Sequence, residues 1–146
     1  MIVRNCAGGV VFFGDKLFIL KNEKDEWVLP KGKIRNDSLP TDTAISRVKY
    51  ETGVDAKIVS TAGETNYEFF SLTRKQEVYN KIIWYVMEAK IGDYLVNEEE
   101  GFKDGGFYPV EEAINMITYS QDKSLASLSY KKYLEFKEFE VDEMYA

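Results

Sequence analysis

The chain has 146 residues, 45% of them hydrophobic, with a formal net charge of −6 and a pI near 4.8. That length and apolar content suit a single domain over residues 1–146, and the acidic balance argues against broad nucleic-acid binding, which needs a basic excess or stripe. No histidine is present and Cys6 stands alone, so imidazole catalysis, His-ligated zinc and an intrachain disulfide are excluded.

In chain order, residues 2–13 read as a strand, with Gly8 and Gly9 marking a bulge or a close approach. Gly14-Asp15 then makes a hairpin turn into a second strand at 16–20. An apolar run ends at Trp27, Val28 and Leu29, where Pro30 cuts the ladder, and Gly32 follows between Lys31 and Lys33. Asn36, Asp37 and Ser38 are candidate N-caps. With Pro40 in the first turn, a helix is predicted to begin near 39–41 and to stop at Gly53. Its apolar side is Ala44, Ile45 and Val48, while Arg47, Tyr50 and Glu51 share a face towards the glycine loop.

Strand character returns at 56–67, extends over 69–72, and is strongest at 78–89 after a polar loop. An acidic loop at 97–106 leads to a short strand at 106–108. Pro109 opens a helix at 110–116, and a last helix covers 122–139 before an acidic tail that frays. Mixed strands with helices on both faces predict an α/β/α sandwich. No apolar run is long enough to span a membrane and the N-terminus lacks a signal-peptide processing site, so the chain is read as cytoplasmic, without a membrane partner.

The segment from Gly32 to Val54 resembles the Nudix box, Gly-x5-Glu-x7-Arg-Glu-U-x-Glu-Glu-x-Gly-U with U aliphatic. Gly32, Val48, Glu51, Gly53 and Val54 match it without a gap. Ser38 stands at the first glutamate, Ser46 at the arginine, and Arg47 and Tyr50 at two helix glutamates, so Glu51 is the one retained box carboxylate. AGGVVFF with KLFILKN, WVLPKGK, KIIWYVMEA and the segment from Gly105 to Leu128 extend the resemblance along nearly the whole chain. They are most similar to the diadenosine tetraphosphate hydrolase type of the Nudix (MutT-like) superfamily.

The resemblance implies a Nudix-type sandwich with a mixed sheet between helices. In active members the helix glutamates hold magnesium against a pyrophosphate. Here the box is degenerate, and the guanidinium of Arg47 opposes a metal while being placed to pair with Glu51 at i, i+4. No cofactor is therefore expected, with magnesium reserved for residual activity through Glu51 and one of Glu98, Glu99 and Glu100.

Carried over by position, Lys31 and Gly32 would lie beside phosphate, Lys81 would reach a phosphate from the central strand, and Tyr119 would offer a ring to a base. Each has a plainer alternative: Lys81 as a snorkelling strand-end lysine, Tyr119 as core, and the lysines near Gly32 as a solvated loop. The expected function is binding of a nucleotide-like or other phosphate-bearing ligand with little or no hydrolysis, Arg47 taking part of the charge role. The alternative is a slow or metal-relocated hydrolase cleaving a nucleoside diphosphate linked to another group. The aromatic C-terminal helix leaves a homodimer open.

Overall fold

The computed structural model describes residues 1–145. Its centre is β1 (Ile2–Phe13), which runs parallel to β6 (Gln76–Ala89) from Ile2 opposite Val78 to Phe12 opposite Glu88. Antiparallel to β6 on its other side lies β5 (Ala56–Ser71). β6 is buried at Val78, Ile82 and from Trp84 to Met87, which is why its sequence reads as a nearly continuous apolar run rather than a strict alternation.

The other edge of β1 is shared. β2 (Lys16–Lys21) pairs at Phe12 and Phe13 through the Gly14-Asp15 turn, where Gly14 has φ of +59°. Three residues of β4 (Lys31–Lys33) take the positions from Cys6 to Gly8. β2 then carries β7 (Asp104–Pro109) along its whole length and β3 (Trp27–Val28) at Leu20 and Lys21. Pro30 thus does more than end an apolar run: it divides two short strands that serve different partners, and neither strand is long enough to show a period.

Gly8 and Gly9 mark a close approach and no bulge, for the pairing of β1 with β6 runs without a shift. A Cβ on Gly8 would stand 2.4 Å from the Pro30 carbonyl oxygen and 2.7 Å from the Trp84 ring. The register shifts lie in β5 instead, between Ile58 and Ser60 and between Thr61 and Gly63.

α1 (Pro40–Thr52) covers one face of the sheet, packing Ala44 and Val48 on Ala7, Val11, Phe18 and Met87. It begins and ends where expected, with two corrections. The N-cap is Leu39, which has no side chain to cap with, so Pro40 and the backbone start the helix. Ile45, expected in the core, is 39% exposed, and Glu51 and Thr52 are buried instead. The other face is covered by α2 (Val110–Met116) and α3 (Ser120–Tyr145), with Ala113, Ile117, Leu125, Ala126 and Tyr133 against Val10, Phe12 and Trp84. α3 starts two residues earlier than the sequence suggested and continues six further, to Tyr145. β7 is likewise longer than the 106–108 reading, because it pairs the whole of β2. No helix among the described residues is long and apolar enough to cross a membrane.

Candidate functional site

A cleft of about 880 Å³ opens on the α3 face of the sheet. Ile82 and Trp84 of β6 make its floor, Tyr67, Phe69 and Phe70 of β5 one wall, and Tyr119 to Asp122 at the start of α3 another. The alternation of β5 sends Thr65, Tyr67 and Phe69 to this side together, and the Tyr67 and Phe69 rings lie stacked with centroids 6.0 Å apart. The floor is fixed by the indole N–H of Trp84, which donates to Thr65 Oγ1 at 2.7 Å. Gln121 ties α3 to β5 by accepting from the Asn66 amide and donating to the Asn66 carbonyl, both at 3.0 Å.

Two groups on the walls carry shifted protonation. The Tyr119 hydroxyl donates to the Glu26 carboxylate, which pushes the tyrosine up to about 12 and holds Glu26 below its ordinary range. Burial pushes the Asp122 carboxyl up, and Lys31 opposes that shift.

At the far end of the cleft the box residues form a closed cluster. Glu51 is only 5% exposed. Its Oε1 accepts from the Lys31 amide at 3.1 Å and its Oε2 from Arg47 Nη2 at 2.8 Å. The same nitrogen of Arg47 lies 3.9 Å from Glu100 Oε2. Tyr50 completes the group: its hydroxyl donates to Glu100 Oε1 at 2.6 Å, and the Arg47 guanidinium sits 4.7 Å from its ring centroid. Gly32 is required by the same cluster, since a Cβ there would fall 2.1 Å from Arg47 Nε. Burial raises the Glu51 carboxyl, with Arg47 and Lys31 pulling it back down.

Of the residues singled out from sequence, Lys31, Gly32, Arg47 and Glu51 are brought together, and Lys31, Glu51 and Tyr119 line the cleft. Lys81 stands apart. Ile82 and Trp84 point into the cleft, so alternation turns Lys81 to the α1 side of the sheet, where its ammonium is 3.9 Å from Glu64. Of the three glutamates at 98–100, Glu100 reaches the cluster and lines the cleft, whereas Glu98 and Glu99 are exposed on a 3-10 turn. Asp122, Tyr67, Trp84 and Glu26 were not singled out. The first two had a signal: Asp122 falls in the first turn of the last helix, and Tyr67 is in phase with Phe69.

The sequence matches the NUDIX domain family model over residues 1–128, and the chain belongs to that family. Solved structures agree on the mixed α/β fold. An Ap4A hydrolase from C. elegans, seen as a binary complex, is 16% identical, covers 90% of this chain and 98% of its own, and superposes with a TM-score of 0.66. A MutT protein from Methanosarcina mazei Go1 is 16% identical over 90% of this chain and 96% of its own, with a TM-score of 0.68. An ADP-ribose pyrophosphatase from Streptococcus suis is 16% identical over 89% and 91%, also at 0.68.

Nudix hydrolases typically use a divalent metal such as magnesium. The side chains at the box helix do not fit one. A hard cation needs several free oxygen donors, yet both Glu51 oxygens are engaged, Tyr50 is committed to Glu100, and a guanidinium that stays protonated lies 2.8 Å from the one retained carboxylate. Among the described residues, no three Asp, Glu or Cys side chains are grouped as metal ligands.

Proposed function

We propose that this Nudix domain binds a nucleotide-like ligand without a divalent ion and turns it over little or not at all. One observation carries the reading: the bond from Arg47 to Glu51, which gives the buried carboxylate an internal cation. Pyrophosphate hydrolysis needs charge stabilisation and an activated water. Arg47 can contribute to the first, but a guanidinium does not give up its proton in a protein and cannot serve as the base for the second. The cleft beside it supplies what binding needs. Tyr67 and Tyr119 line it with aromatic faces that suit a planar base, Trp84 and Ile82 give an apolar floor, and Lys31 is a cation that a phosphate at the box end would use.

The test is calorimetry of a nucleoside monophosphate with EDTA and then with magnesium, alongside product analysis of nucleoside triphosphates, dinucleoside polyphosphates and nucleoside diphosphate sugars. The expected result is metal-indifferent binding and no product above the uncatalysed background. Robust magnesium-dependent hydrolysis by the unmodified protein would overturn the reading and favour the relocated-metal alternative through Glu51 and Glu100.

A further inference from the structure

The cleft is rich in aromatic surface and poor in free positive charge. Five acidic side chains line it, those of Glu23, Glu26, Glu51, Glu100 and Asp122, against two basic ones, Lys24 and Lys31, while the alternation of β5 turns the Glu68 side chain to the other face. Arg47 adds a cation from behind the box end, but it is already shared between Glu51 and Glu100. Lys81, the other lysine that the family resemblance would place at phosphate, is on the opposite face beside Glu64. A polyphosphate carries several negative charges, and in a site without a bridging metal they must be met by side-chain cations. Here they would meet a surplus of carboxylates.

We infer that the cleft selects against polyphosphates and takes a nucleoside or nucleoside monophosphate, with the planar base against the Tyr67 and Tyr119 rings and at most one phosphate at Lys31. This rests on the reading of the cleft as a metal-free ligand site. The carboxylates act as specificity determinants by repulsion, a means of discrimination that costs the favoured ligand little. Glu23 is an exposed member of that set, so it tunes the field over the cleft rather than its packing. Glu26 and Tyr119 form a different kind of element: their bond fixes the ring at the α3 side of the opening.

The experiment is a calorimetric series with adenosine, AMP, ADP and ATP, repeated with the guanosine set, in EDTA at fixed ionic strength. The nucleoside or the monophosphate should bind most tightly, and each phosphate beyond the first should weaken binding by roughly three- to tenfold through unscreened repulsion. Added salt should strengthen the triphosphate, and the variant Glu23→Gln should narrow the gap between triphosphate and nucleoside.

Metal-free affinity that rises with phosphate number, or falls with salt for the triphosphate, would overturn the inference while leaving metal-free binding intact. A gap unmoved by Glu23→Gln would remove Glu23 from the explanation and contradict the repulsion account. Absence of binding across both series would overturn the inference together with the proposed function. Magnesium-dependent cleavage of ADP or ATP would instead count against the proposed function, and the metal-free ranking would still be read separately.

Discussion

Two ends of one cleft handle their charges differently. At the box end, Glu51 is answered by Arg47 and by the Lys31 amide, and Glu100 is answered by Tyr50. At the α3 end, Asp122 is half-buried with only the distant field of Lys31 to favour its ionised form. At the first end the chain itself answers both carboxylates, and the buried Nε of Arg47 is left without a hydrogen-bond partner. The second keeps a polar group and several aromatic faces open. The contrast separates two properties that a hydrolase of this fold would combine: the place where chemistry would occur is closed by internal pairing, while the place where a ligand would be recognised is not.

The comparison breaks most severely at the floor both ends share. Trp84 is 1% exposed, packs in the core and bonds Thr65, so Trp84→Ala should cost about 3–5 kcal/mol of stability by denaturant unfolding. A loss below about 1 kcal/mol would mean that the floor is dispensable and that the cleft has no rigid base.

Arg47→Ala tests the closed end. It leaves Glu51 buried with one hydrogen bond and should destabilise the protein by about 2 kcal/mol at neutral pH, less than a fully buried pair because Arg47 is partly exposed. The sign with pH follows from Glu51. Its folded-state pKa is raised by burial and restrained by Arg47, so removing Arg47 raises it further, and the native state of the variant binds protons more readily than its unfolded state. The deficit should therefore be largest above the raised pKa and shrink as pH falls towards the ordinary glutamate value of about 4.3. A deficit independent of pH would show that Arg47 acts by packing alone.

Lys31→Ala and Lys81→Ala sharpen the comparison at the level of ligand. Lys31 lines the cleft and Lys81 is turned away from it, so nucleoside monophosphate binding should weaken roughly five- to tenfold in the first variant, the loss of one charge-assisted contact, and hold in the second. Equal losses would mean that the sheet faces have been assigned to the wrong sides of the site.

The smallest effect belongs to the open end. Burial raises the Asp122 carboxyl, so its ionised form opposes folding above the raised pKa, and that penalty disappears below the ordinary aspartate value. Asp122→Asn should stabilise the protein at neutral pH by no more than about 1 kcal/mol and do nothing in acid. Destabilisation at neutral pH would reveal a partner for the ionised carboxylate.

Much of the fold was legible because long-range and local signals agreed. The helix from Pro40 to Thr52 had its proline, its glycine stop and Val48 in phase, and β6 had a long β-branched and aromatic run. The pairing of Arg47 with Glu51 could be read from i, i+4 spacing alone. What stayed hidden depended on tertiary partners. β3 and β4 are two and three residues long, and they exist because β1 and β2 offer edges to them. The burial of Glu51 and the exposure of Ile45 reverse the hydrophobic ranking, and on the same helix Arg47 lies against Gly32. Lys81 lies one residue of alternation from Ile82, which in a strand is the difference between the two faces. Asp122 carried only its place in the first turn of the last helix, and its burial comes from the packing of α3.

The central claim is that the box helix holds an internal cation where a metal would be expected, and titration of the wild-type protein with magnesium and manganese tests it most directly. With Glu51 bonded to Arg47 and Lys31, and Glu100 bonded to Tyr50, calorimetry should detect no site tighter than roughly millimolar, and the unfolding midpoint should be the same in EDTA as in either ion. A micromolar site that disappears in Glu51→Gln would contradict the account.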